Sequence, residues 1–208
     1  MSTVQTPSPE HGPSVQKLDA IVIGAGFGGS VWALVEVALS RRSRPLATPV
    51  EKTASAFAGF AVMGLFTAER GAGTQLDGRR LRVSQRAGLE GALIGTGFPY
   101  RENKGWLKPY LAMLERVMNA TAGVRRPGAA SLDLAYVAAG RLDGFWEVGL
   151  SPWDTAAGNL LITEAGGRVG DFTGGEYRDG GNLLVGTPRV FAALVETFAP
   201  LLDESLRK

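Results

Sequence analysis

Residues 144–158 read Gly-Phe-Trp-Glu-Val-Gly-Leu-Ser-Pro-Trp-Asp-Thr-Ala-Ala-Gly. The run Phe145-Trp-Glu-Val148 predicts a buried strand, and residues 155–165 predict a helix with Asp154 at its N-cap position. A carboxylate there accepts from backbone N–H groups that have no partner inside the helix. Glu147 lies at the strand end, so a strand end and a helix start each carry an acid. On these residues alone, Asp154 is a helix cap and Glu147 a solvated strand-end acid.

The alternation extends in both directions. Leu65-Phe-Thr-Ala68 and Leu81-Arg-Val-Ser84 predict strands flanking a turn at Leu76-Asp-Gly-Arg79. Ala92-Leu-Ile-Gly95 predicts a further strand, followed by a loop over 96–103. Residues 106–120 carry Leu107, Leu111, Leu114 and Met118 at the spacing of an amphipathic helix. A second helix is predicted over 129–139, ended by Gly140. Leu183-Leu-Val-Gly186 predicts a last strand, and 188–202 a closing helix with Pro in its first turn. Alternating strands and helices predict an α/β fold, a sheet with covering helices.

The composition narrows the chemistry. The chain of 208 residues has no Cys and a single His, His11, in a polar leader. Zinc ribbons, Cys nucleophiles, His-based triads and multi-His metal sites are therefore excluded as expectations. Carboxylate and hard-cation chemistry stays open, as does work done by backbone amides. A net charge of +2, with Arg spread along the chain, argues against a nucleic-acid surface. No apolar run reaches the roughly 18 residues of a membrane span, so no membrane contact and a cytoplasmic location are expected.

Several strings occur in a fixed order. They are Leu65-Phe-Thr-Ala-Glu-Arg-Gly-Ala-Gly73, Gly78-Arg-Arg-Leu-Arg-Val-Ser84, Gly95-Thr-Gly-Phe-Pro-Tyr100 and Arg125-Arg-Pro-Gly-Ala-Ala130. Leu132-Asp-Leu-Ala-Tyr-Val-Ala-Ala-Gly140, Gly144-Phe-Trp-Glu147, Pro152-Trp-Asp-Thr-Ala-Ala-Gly158 and Thr163-Glu-Ala-Gly-Gly167 follow. Each string is weak alone; the shared order is specific. Over about residues 65–199 the succession resembles the C-terminal part of the inositol monophosphatase family, magnesium-dependent phosphomonoesterases. The resemblance implies a layered sugar-phosphatase-like α/β fold with its N-terminal half incomplete.

It also implies site residues. Asp154 would bind Mg²⁺, Glu147 would contact hydroxyls of a sugar or cyclitol, and Gly128, Ala129 and Ala130 would line the substrate pocket. Free amides at a helix start suit that last use, and a Pro/Gly-marked helix entry is compatible with it. Arg125 and Arg126 read either as salt-bridge partners or as the frame of an anionic pocket. Asp133 reads as a solvated-face acid, Phe98-Pro-Tyr100 as a rigid loop, and Trp106, Trp146 and Trp153 as packing residues. The implied ligand is a small phosphorylated polyol or sugar, and a homodimer is a further expectation.

The family's other metal ligands come from a Glu-Glu pair and an Asp-Pro-Leu/Ile-Asp-Gly-Thr motif, and neither occurs here. Before Phe60 the acids are Glu10, Asp19, Glu36 and Glu51. No catalytic residue is carried over, and the expectation is an inositol-phosphate phosphatase by family with impaired turnover. A sugar-phosphate-binding or dimerising module without chemistry is the alternative.

The head of the chain reads differently. Residues 1–17 predict a disordered leader, 18–59 a short Rossmann-like β-turn-α fragment and linker, and 60–208 the phosphatase-like region. Asp19-Ala-Ile-Val-Ile-Gly24 predicts a strand, and residues 31–39 have helical apolar spacing. Between them Gly24-Ala-Gly26-Phe-Gly-Gly29 makes Gly24, Gly26 and Gly29 weak dinucleotide-binding candidates. This stretch resembles the start of a flavin-dependent monooxygenase, which would make the chain a fragment of an FAD- or NAD-binding oxidoreductase. A glycine-rich turn with no ligand is the simpler account.

Overall fold

The computed structural model describes residues 20–24, 34–38, 64–99, 105–204 and 206. The leader 1–17, with His11, and Gly26 and Gly29 lie outside the described residues. One sheet contains β1 (Ala20–Gly24), β2 (Leu34–Ala38), β3 (Leu65–Glu69), β4 (Gly73–Leu76) and β5 (Arg79–Arg80). Its order is β2-β1-β3-β4-β5, with every neighbouring pair antiparallel. The second contains β6 (Leu93–Thr96), β7 (Gly123–Arg125), β8 (Gly144–Val148), β9 (Arg168–Gly170) and β10 (Asn182–Gly186). In the order β7-β6-β8-β10-β9, β6 runs parallel to β7 and β8, and β10 antiparallel to β8 and β9.

Among the described residues, four α-helices complete the layers: α1 (Leu107–Ala120), α2 (Ala130–Ala138), α3 (Pro152–Glu164) and α4 (Pro188–Phe198). Helices α2 and α3 pack on each other; α3 also meets β3 and β4, and α2 meets β6, β8 and β10. They form a layer between the two sheets, while α1 and α4 cover the far face of the second sheet. Two cores follow. One joins Phe66, Leu134, Phe145, Leu161 and Val185; the other joins Tyr110, Met113, Trp146, Leu184 and Phe198. Strand β10 is buried along its whole length and β8 everywhere but Glu147, as expected of strands covered on both faces.

The hairpin predicted at Asp77-Gly78 is present. Asp77 (φ 49°) and Gly78 (φ 75°) are both left-handed, as a two-residue turn between β4 and β5 requires, and Asp77 Oδ1 accepts from Leu65 N–H at 2.9 Å. The predicted strand at Leu81–Ser84 is not. The strand ends at Arg80 with one further bond to β4, from Leu81 N–H to Thr74 O at 2.8 Å, and Val83 N–H then donates to Ala165 O at 3.2 Å, at the end of α3. Beyond Leu81 the alternation of half-buried and exposed residues reflects packing against a helix end rather than strand pairing.

Residues 34–38, predicted within a helix, are strand β2, paired antiparallel with β1 from Ala20↔Ala38 to Gly24↔Leu34. Val35 and Val37 favour an extended chain, and the neighbouring apolar strand supplies the hydrogen-bond partners. Helix α1 forms as predicted but turns the other way. Tyr110, Met113 and Val117 are buried, whereas Leu107, Leu111 and Met118 are exposed. The helix is apolar on two sides, so spacing alone does not choose the inner one.

Buried Asp143 ties these parts together. Its carboxylate accepts from the Ser84 hydroxyl and from Leu93 N–H at 2.7 Å, with Arg86 Nε at 3.8 Å. Its backbone receives the N–H of Thr187, the residue that caps α4, at 3.1 Å. Removing one partner of such a network strands the other donors. Asp143→Ala is expected to lower unfolding free energy by about 2–4 kcal/mol, read from urea denaturation; a loss below about 0.5 kcal/mol, the range of an ordinary surface substitution, would show that the network carries no load.

Candidate functional site

The acid of the 144–158 stretch sits where two layers meet. Register places Leu183 on β10 and Trp146's neighbour Thr96 on β6 beside the end of β8. The Thr96 hydroxyl donates to Trp146 O at 2.9 Å and lies 3.0 Å from the Tyr110 hydroxyl. The Glu147 side chain folds across to the next residue of that strand, Gly97, where a Cβ would stand 2.0 Å from its Cδ.

Helix α3 begins three residues earlier than predicted. Ser151 is its N-cap and Asp154 the third helical residue of a capping box, with Asp154 Oδ2 accepting from Ser151 N–H at 3.1 Å. The shift follows from Pro152, whose fixed φ and missing N–H suit the first helical position. Trp153, read as packing, is 70% exposed on that first turn, while Trp146 is fully buried and Trp106 half-buried.

Helix α2 begins after left-handed Gly128 (φ 88°), with Ala129 as its N-cap and Ala130 as its first residue. One turn in, Asp133 is 1% exposed, which corrects its reading as a solvated acid. Every other residue from Ser131 to Ala138 except Tyr136 is also buried, so this helix has no face left for water. Among the described residues the Asp133 Oδ1 atom has no hydrogen-bond partner. Burial pushes the Asp133 carboxyl up to about 7, against the Ala129 backbone N–H and Arg126, which hold it down. Glu147 is also pushed up to about 7, first by burial and then by the charges of Asp133 and Asp154, with Arg126 opposing.

Asp133, Glu147, Asp154 and Arg126 thus form one electrostatic neighbourhood. The Arg126 guanidinium lies 5.0 Å over the Phe98 ring, which meets Tyr110 edge-on at 5.8 Å. Phe98, read only as part of a rigid loop, is therefore a platform for the site's cation. Arg125 is exposed and bonds its own strand through Val124 O at 3.1 Å. Tyr177 is a further neighbour unforeseen from sequence: burial pushes its phenol up, and the Asp179 and Asp154 charges add to that.

The arrangement offers carboxyl acceptors for hydroxyls, a helix start for an anion and one cation beside them. It does not make a magnesium site by itself. Magnesium wants near-octahedral oxygen ligands, and among the described residues no three His, Cys, Asp or Glu side chains gather to hold a metal ion. One oxygen of Asp154 is already engaged in the cap. The described donor set is therefore short of the oxygens that a magnesium ion needs.

Two sheets enclosing a layer of helices, with this acid-rich junction, make a layered α/β protein. The sequence pattern of the inositol monophosphatase family matches residues 34–207, and the chain belongs to that family. It is 58% identical over 145 residues to the protein named Nus factor SuhB of Pseudomonas aeruginosa, covering 69% of this chain and 54% of that one. It is 53% identical over 135 residues to the inositol-1-monophosphatase of Rhizobium meliloti, covering 64% and 50%. The solved inositol monophosphatase of Anabaena superposes with a TM-score of 0.62 at 35% identity, over 68% of this chain and 59% of that one. The chain spans about half the length of the curated relatives it matches. No comparison supports the flavin-monooxygenase resemblance: the family match begins inside it, at residue 34, and its expected helix contains strand β2. Among the described residues no helix is long and apolar enough to cross a membrane.

Because the Asp133 carboxyl is raised on folding, the native chain holds a proton that the unfolded chain releases above about pH 4. Stability from this group is therefore greatest below that pH, falls as pH rises toward about 7, and levels off above it. Asp133→Asn is expected to flatten that slope, measured as urea midpoints from pH 4 to 8; an unaltered slope would exclude the buried carboxyl as its source.

Proposed function

We propose that this chain binds a small phosphorylated polyol or sugar as a magnesium-dependent phosphomonoester hydrolase by family, with turnover impaired. The observation that carries the reading is the shared field of Glu147, Asp133, Asp154 and Arg126 beside the start of α2. In this reading Glu147 accepts from ring hydroxyls, and the amides at Gly128, Ala129 and Ala130 face ligand oxygens. Asp154 supplies one ligand of a Mg²⁺ site that lacks the family's Glu-Glu and Asp-Pro-Leu/Ile-Asp-Gly-Thr contributions. Asp154 alone would hold such a cation weakly. The location proposed with this function is the cytoplasm.

Binding without turnover is the second reading. It is favoured because, among the described residues, no three acids gather closely enough to hold a metal ion, and the Pseudomonas relative carries a Nus-factor name rather than a phosphatase one. A homodimer accompanies either reading, supported by Leu107, Leu111 and Met118, which α1 leaves exposed.

Purified chain given inositol 1-phosphate and Mg²⁺ is expected to release no phosphate above the no-protein control, while calorimetry detects the ligand. Phosphate release that Asp154→Ala abolishes would refute impairment. Sedimentation is expected to give twice the 21.9 kDa chain mass, reduced to one by Leu111→Lys; a monomeric parent removes the dimer from the proposal.

A further inference from the structure

Gly97 has an ordinary backbone. It is absent from the left-handed glycines, which include its near neighbour Gly91 (φ 69°) and the helix-entry residue Gly128 (φ 88°). Conformational freedom therefore does not account for a glycine at this place. What fills the space of its missing side chain is a carboxyl group: a Cβ on Gly97 would lie 2.0 Å from Glu147 Cδ, 2.1 Å from Oε1 and 2.2 Å from Oε2. All three distances are far inside van der Waals contact.

The two backbones cannot easily draw apart. Thr96 and Trp146 are register partners on β6 and β8, and the Thr96 hydroxyl fastens them at 2.9 Å while meeting Tyr110 at 3.0 Å. Trp146 and Val148, on either side of Glu147, are buried in the second core. The side chain of Glu147 is the part that can move. Inward rotation brings it against the charges of Asp133 and Asp154, which already oppose its ionisation. Rotation in the other direction exposes it to water.

We propose that Gly97 is a positioning residue, whose missing side chain makes the room in which the Glu147 carboxyl is held at the site. Any side chain at this position turns that carboxyl out while leaving the strands in place. Phe98 acts beside it, because its ring carries the Arg126 guanidinium that opposes the charge on Glu147. Two consecutive residues thus set the positions of the site's acid and of its cation. The inference rests on the reading of Glu147 as a ligand contact only for its effect on binding, and the experiment separates the two.

The full chain is compared with Gly97→Ala, Glu147→Ala and the double variant, by crystal structure and by calorimetry with inositol 1-phosphate. Gly97→Ala is expected to fold, with the Glu147 carboxyl swung out by one rotamer and affinity reduced about tenfold, the cost of one lost hydrogen bond. Glu147→Ala is expected to lose a similar amount, and the double variant no more than Glu147→Ala alone. A carboxyl that keeps its place in the Gly97→Ala variant overturns the proposal, as does a further loss of affinity in the double variant. Should Gly97→Ala fail to fold, a folded double variant supports the clash with Glu147 and an unfolded one overturns it. If the carboxyl swings out and affinity is unchanged in both single variants, Gly97 keeps its role and the ligand reading of Glu147 fails.

Discussion

Helix α2 has no face open to water, and the site follows from that enclosure. It lies between two sheets with α3 alongside, so a polar residue on it must be satisfied by protein or remain unsatisfied. Asp133 occupies such a place, one turn from the helix start, with Oδ1 unpartnered. Its raised carboxyl and the mutual pressure between it and Glu147 are consequences of the layer order. Arg126 relieves part of this, and Arg126 is in turn seated on Phe98 from the loop after β6. The polar junction is therefore built by the same packing that makes the apolar cores.

Asp154 shows how a folding rule and a site share atoms. The capping box uses its carboxylate to satisfy an amide that helix geometry leaves orphaned, which starts α3 sharply after Pro152. The same carboxylate contributes charge to Glu147. Cap and site residue are not rival descriptions, since fixing one oxygen fixes the direction of the other. Tyr177, half-buried within the field of the same carboxylate, belongs to this corner as well.

Much of the architecture was legible because the sequence patterns had local causes. The Asp77-Gly78 turn is dictated by two left-handed residues, and α2 ends at Gly140 (φ 68°) for a similar reason. Central strands β8 and β10 announce themselves by the apolar runs Phe145-Trp146 and Leu183-Leu-Val185. What was not legible depended on partners far along the chain. Residues 34–38 are extended because β1 is there to pair with them, and α1 buries Tyr110 and Met113 because the second sheet and α4 lie on that side. Asp133 carried a readable signal that spacing arguments overlook: a lone acid among Leu and Ala on every side of a helix has no solvated face to occupy. Phe98 and Tyr177 offered no such signal, since each matters only through a neighbour distant in sequence.

At two glycines with ordinary backbones, a neighbour's side chain fills the space of the missing Cβ. At Gly158 the missing Cβ is replaced by Leu134, whose own Cβ would stand 2.5 Å away, so α3 can lie directly on α2. At Gly97 the missing Cβ is replaced by the carboxyl of Glu147. One absent methyl group closes the apolar layer, and the other admits a charge at its edge. A larger residue in place of Gly158 would part the helices and rehydrate the acid on α2, whereas one in place of Gly97 would expel the acid on β8 and leave the layer intact. Enclosure and placement are thus separable in this fold, because each depends on a different atom that the sequence leaves out.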